Sequence, residues 1–169
     1  MDSTQQHPKL GELLPEPVMR YGLALLGLIV VTGGIGLLGD VVLKPLLTPS
    51  SFQMSSEEAD AWQHRTLMIL NIQGCITHFF GFAAGAYLLR SNPFLAGIIV
   101  HIGMSLVVIK ILRDVALPAD PTTTYWDIIA HNPAGWIGGL AAALVGMWVG
   151  HGLAQRVSTD NTGPESVTR

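Results

Sequence analysis

Charge is scarce in this chain. Lys, Arg, Asp and Glu make up 12% of its residues, against about 25% in an ordinary soluble domain. No basic excess exists either: nine Lys and Arg face twelve Asp and Glu, for a net charge of −3. Nothing is on hand to hold a phosphate backbone, so no nucleic-acid partner is expected. Cysteine is nearly absent. The single Cys75 excludes an intrachain disulfide and a cysteine zinc site. Glycine-rich phosphate loops, HExxH and a serine nucleophile elbow are missing too, so neither hydrolysis nor phosphoryl transfer finds support. The first 19 residues hold Lys9, Glu12, Glu16 and three prolines, not the apolar core of a cleavable signal peptide.

Apolar residues fill the gap left by charge. They account for 49% of the 169 positions, and the mean hydropathy is +0.44. They concentrate in four runs, at 20–44, 65–89, 94–112 and 134–154. Each is near the ~20 residues that cross ~30 Å of hydrocarbon at 1.5 Å per residue. Lipid offers no partner to a bare N–H, so each run must be helical. The expected fold is all-α: an integral membrane bundle of four transmembrane helices over 20–156. A polar tail at 1–19 precedes it, with Pro15 and Pro17 breaking any helix there, and a disordered tail at 157–169 follows.

The connections are unequal. The link at 90–93 is so short that the second and third helices should be antiparallel neighbours. The loop at 45–62 contains Ser55-Ser56-Glu57-Glu58, a helix-start pattern. The loop at 115–133 carries Pro118, Pro121 and Pro133, with Tyr125, Trp126 and Trp136 suited to a membrane interface. Both long loops lie on one face. Five Lys and Arg fall on the tail side and four on the loop side, with Glu57, Glu58, Asp60, Asp120 and Asp127 all on the loop side. The balance leans to a bacterial inner membrane with both termini cytoplasmic.

Small residues recur at every fourth position. The fourth run has Ala134, Gly138, Ala142, Gly146 and Gly150; the second has Thr77, Gly81 and Gly85. Such stripes mark close helix contact in lipid. They serve either packing inside one bundle or an interface between copies, and a homo-oligomer through these glycine-rich faces is expected. Asp40 with Lys44, and Lys110 with Asp114, are spaced for i, i+4 pairs.

Polar side chains at membrane depth are functional candidates. Asn71, Gly74, Cys75, His78 and Gly81 share one face of the second helix. His64 stands at its loop-side start, His101 and Ser105 lie in the third run, and His151 lies near the end of the fourth. Gly74 precedes His78 by four residues, and Gly97 precedes His101 by four. A histidine that binds a flat macrocycle needs a small neighbouring turn, and neutral imidazole is the usual haem ligand. The competing reading is hydrogen bonding across helices, with glycine present for packing.

Several segments resemble the small membrane isomerases that include styrene oxide isomerase, with hydroxylaminobenzene mutase a more distant relative. They are Trp62, His64 and Asn71; Ile98-Ile99-Val100 with Gly103; and Pro133-Ala134 with Gly138, Leu140 and Ala141. The resemblance covers about residues 20–155. It implies an oligomer with a haem b whose iron acts as Lewis acid on a substrate oxygen, turning an epoxide into a carbonyl compound. Asn71 would then hydrogen-bond that oxygen, and His64, His78 or His101 would hold the iron. The pattern departs from the family in spacing: His64 precedes Asn71 by seven positions where the family has six, and Ile72 follows where the family has glycine. The family's acid and tyrosine fall on Ile102 and Lys110.

The expected function is rearrangement of a small lipophilic ligand drawn from the lipid bilayer. Two alternatives remain. One is a non-catalytic transmembrane subunit or assembly factor. The other is a b-type haem electron carrier with His101 and His151 as its ligand pair.

Overall fold

Prolines and side-chain caps set where the helices begin in this computed structural model, which describes residues 15–48, 55–116 and 120–160. The expectations that fall on 1–14, on Pro118 and on 161–169 lie outside the described residues. Helix α1 spans Glu16–Leu47 with Pro17 in its first turn, where a missing N–H is harmless. Helix α2 spans Ser56–Leu89. Ser55 caps it, its hydroxyl accepting from the Glu58 N–H while the Glu58 carboxylate accepts from the Ser55 N–H. Helix α3 covers Phe94–Ala116, α4 covers Tyr125–His131 and α5 covers Pro133–Asp160. The described residues contain no strand.

Helix ends differ from the apolar runs, because caps and hydrophobicity measure different things. α1 starts at Glu16 instead of Arg20, and α2 at Ser56 instead of Arg65. α5 continues to Asp160, past the expected end of the bundle. With 32 and 34 residues, α1 and α2 are about 48 and 51 Å long at 1.5 Å per residue. Both exceed the ~30 Å of hydrocarbon, so their ends project from it. Helix α4 falls in the stretch 115–133 that reads as a loop in the sequence. Thr124 and Asp127 form a second capping box at its start, and that spacing is visible in the sequence.

Four helices, α1, α2, α3 and α5, are long and apolar enough to cross a membrane. Their outer surface bears exposed Leu37, Val41, Leu95 and Trp148, as lipid contact requires. The inward face of α2 is the one expected: Asn71, Gly74, Cys75 and His78 are partly shielded and Gly81 is buried, while Ile72, Ile76 and Phe80 are exposed. Buried Phe82 and Met147 centre a small core with Leu28, Ala86 and Ala143.

α2 is the hub of the bundle. It packs against α5 on one side and α1 on the other. A Cβ on Gly146 or Gly150 would run into the backbone of Phe79 or Ala83 on α2. A Cβ on Gly81 or Gly85 would meet Thr32, Leu28 and Ala24 on α1. The small-residue stripes therefore pack helices within the chain. Gln73 ties the same α1–α2 seam, its amide donating to the Gly36 carbonyl at 3.3 Å.

Two expectations need correcting. The short link does join α2 to α3, yet their backbones approach closely at few points, and α3 leans on α5 and α4 instead. Both small-residue faces of α2 are already taken by α1 and α5, so only side chains reach α3. Among the described residues, the ion pairs are Glu16–Arg20 and Lys110–Asp114, so Asp40 and Lys44 do not pair. Both are exposed, and an exposed pair gains little from contact.

Candidate functional site

The gap between α3 and the rest of the bundle holds a cavity of about 410 Å³. Its wall combines Asn71, Gly74 and His78 of α2 with His101 and Ser105 of α3. Gly135, Trp136 and Gly139 of α5 complete it, with Thr32 of α1 and Asn132 between α4 and α5. Asn71, His78 and His101, all singled out by sequence, are thus brought together. His64 is not. It is exposed and lies fourteen residues before His78, about 21 Å along the helix. It belongs to the part of α2 that the capping box starts outside the apolar run.

His78 has a defined proton. Its Nδ1 lies 2.7 Å from the Gly74 carbonyl oxygen, which can only accept. Nδ1 therefore carries a hydrogen, and in the neutral ring it is Nε2 that keeps the lone pair. The His78 ring stacks on Phe82, with centroids 6.2 Å apart, and meets His101 edge to face at 5.1 Å. His101 also touches Phe82, at 5.8 Å. His101 is only 7% exposed, and its Nδ1 is buried with no partner. Two more buried atoms on the same wall lack partners, Thr32 Oγ1 and Trp136 Nε1.

At the loop-side end an amide pair lines the cavity. Asn71 Nδ2 donates to Asn132 Oδ1 at 3.0 Å, and Asn132 Nδ2 donates back to Asn71 Oδ1 at 2.6 Å. Asn132 Oδ1 also accepts the Gly135 N–H at 3.1 Å, which makes it the side-chain cap of α5. A Cβ on Gly135 would press on both amides, so glycine there keeps room for the pair. Asn71 is therefore tied, with one amide hydrogen and one oxygen lone pair to spare.

The two Gly-x-x-x-His motifs part company. A Cβ on Gly74 would meet nothing within 4 Å, whereas one on Gly97 would run into Met147. The turn before His78 is clear for a flat ligand, while the turn before His101 is filled by α5. The donor set thus fits a haem held through His78 Nε2. It does not fit one clamped between His78 and His101, whose edge-to-face contact leaves no space for a macrocycle. Among the described residues no three His, Cys, Asp or Glu side chains converge, so an iron here would need the other donors a macrocycle brings. His151 lies away from the cavity, its Nε2 accepting from the Gln155 amide at 2.9 Å.

Asn132 and Thr32 escaped the sequence reading. Asn132 precedes Pro133, a helix-start signal that could have drawn notice. Thr32 is an isolated hydroxyl in an apolar run, and only its neighbours reveal its place. Comparison of the chain with known protein families, with curated proteins and with solved structures finds no match.

Proposed function

We propose that the chain is a membrane-embedded enzyme of the isomerase type. It takes a small lipophilic molecule bearing an oxygen into the cavity beside α3 and rearranges it without net oxidation or reduction. One observation carries this reading. Of the six buried side-chain polar atoms left without partners among the described residues, three belong to Thr32, His101 and Trp136, residues that line the cavity that also contains His78. Each unpaired buried group costs about 1–3 kcal/mol, so a ligand that reached these three would offset that cost.

His78 Nε2 would hold a haem, which would supply Lewis-acid chemistry toward the substrate oxygen. The chain's own groups do the rest. The Gly74 carbonyl fixes the His78 tautomer and orients its ring. The Trp136 N–H is a donor only, so it holds an oxygen lone pair. Thr32 offers a hydroxyl from α1. His101 would hold or move a proton at Nδ1. Asn71 donates its remaining amide hydrogen at the loop-side end. The apolar helices keep bulk water from a developing cation.

The same proposal places the protein in the bacterial inner membrane as a homo-oligomer with both termini cytoplasmic. An even number of spans and the Lys/Arg balance support the topology. Gly146 and Gly150 of α5 are occupied within the chain, so contact between copies falls to outer faces such as that of Gly33 and Gly34 on α1, where a Cβ would meet nothing.

The test is an absorption spectrum of purified protein, together with conversion of an epoxide to its carbonyl isomer by membranes. A Soret band is expected in the wild type and in His64→Ala, and is expected to vanish in His78→Ala along with conversion. Colourless wild-type protein that co-purifies with stoichiometric partners overturns the reading in favour of a non-catalytic subunit. A six-coordinate bis-histidine spectrum overturns it in favour of an electron carrier.

A further inference from the structure

An amide side chain has two ends of nearly equal size, one a donor and the other an acceptor. Shape therefore does not say which end of Asn71 faces which neighbour, and hydrogen bonding must decide. The bonds that decide it begin in the backbone of α5. Pro133 opens that helix, and the Asn132 carbonyl accepts the Trp136 N–H at 3.4 Å, so Asn132 holds the cap position. Its side-chain oxygen accepts the Gly135 N–H at 3.1 Å. A backbone N–H can only donate, so that end of Asn132 has to be the oxygen. The same oxygen receives Asn71 Nδ2 at 3.0 Å, and Asn132 Nδ2 donates to Asn71 Oδ1 at 2.6 Å. The polarity of Asn71 follows. A half-turn of its amide would set nitrogen against nitrogen and oxygen against oxygen.

We infer that Asn132 is a positioning residue: through it, the first turn of α5 fixes which edge of the Asn71 amide a ligand meets. This rests on the function proposed above, in which Asn71 hydrogen-bonds the ligand oxygen. With the pair made, Asn71 keeps one N–H on one edge and one oxygen lone pair on the other. An epoxide oxygen carries no hydrogen and can only accept. It is attracted to the N–H edge and repelled by the lone-pair edge, so the direction of the Asn71 amide separates binding from rejection. Asn132 needs no contact with the ligand to do this. Gly135 completes the device, because a Cβ there would stand 2.5 Å from both Asn132 Nδ2 and Asn71 Oδ1 and force that bond apart.

The experiment uses the full chain in detergent, labelled with ¹⁵N-asparagine, and cyclohexene oxide as the probe. Asn71 is assigned as the side-chain signal missing from Asn71→Ala. Asn132→Asp keeps an oxygen for the Gly135 N–H and for Asn71 Nδ2, so α5 stays capped, but its carboxylate cannot donate to Asn71 Oδ1. At neutral pH the Asn71 signal is expected to move, and calorimetric binding of the epoxide to weaken about two- to tenfold, the loss of one hydrogen bond. At acid pH the protonated carboxyl donates in place of the amide, and both signal and affinity should return. His78 and His101 border the same cavity, so each variant is read against wild type at the same pH. Asn132→Ser also caps a helix but does not carry the amide pair, so it should weaken binding at both pH values. An Asn71 signal unmoved in both variants overturns the pairing. A signal that moves while affinity stays at the wild-type level overturns Asn132 as a positioning residue. A signal that moves and returns in a protein that binds no epoxide removes the proposed function, while the hold of Asn132 on Asn71 stands.

Discussion

At the scale of single residues, the polar groups beside α3 divide into satisfied and unsatisfied. Asn71 and Asn132 complete each other, and His78 Nδ1 is paired with the Gly74 carbonyl. Thr32, His101 and Trp136 are left with buried atoms that nothing meets. Removing a polar atom that has no partner should relieve the protein, whereas removing half of a pair should harm it. Trp136→Phe and Thr32→Val are therefore expected to leave the stability of the unliganded protein unchanged or raised, by up to about 1–3 kcal/mol. Both should weaken ligand binding. Asn132→Ala is expected to destabilise by about 1–2 kcal/mol, because it strips Asn71 and uncaps α5 together. Thermal unfolding in detergent, with and without an epoxide ligand, measures all three. A large loss of stability in Trp136→Phe alone would show that its N–H is already satisfied.

At the scale of helices, close approach and capping do different work. α5 presses its glycines against the α2 backbone at Phe79 and Ala83. Gly146→Leu must push that backbone away, and overpacking of this kind costs about 1–3 kcal/mol or more. Gly33→Leu on α1 meets open space and should be tolerated. Unfolding in detergent compares the two, and equal tolerance would mean that α2 and α5 are not in contact. Helix α4 depends on its cap. The Thr124 hydroxyl, joined by a backbone hydrogen bond, holds the Asp127 carboxyl below the ordinary aspartate value. A depressed carboxylate contributes stability above its unfolded pKa, and the contribution is lost as pH falls through the folded value. Protection of α4 amides in hydrogen exchange, corrected for the intrinsic rate, is expected to hold from neutral pH down to the ordinary aspartate range and to fall below it. Thr124→Ala should remove that protection at neutral pH.

At the scale of the whole molecule, the fold is a three-helix stack, α1–α2–α5, with α3 standing off it. That arrangement makes the cleft. Four spans bring both ends of the chain to one side of the membrane, and the proposal assigns that side to the cytoplasm. A fluorescent protein fused to the C-terminus should glow, and alkaline phosphatase fused there should be inactive. The opposite pair of results reverses the orientation while keeping the four spans.

Four apolar runs and scarce charge were enough to read the bundle, because a bilayer admits one backbone solution for such runs. The inward face of α2 was legible from helical spacing, and the cap at Ser55 from its motif. Tertiary structure alone decided the rest. His64 and His78 look equivalent as letters, but one lies on the projecting end of α2 and the other at the cleft. Gly74 and Gly97 stand in the same relation to their histidines, but Met147 of a distant helix fills the space at one and not the other. The short link to α3 says nothing of where α3 leans, which followed from which faces of α2 its other neighbours had taken. Local spacing is a property of one helix, whereas a cavity is what several helices leave between them.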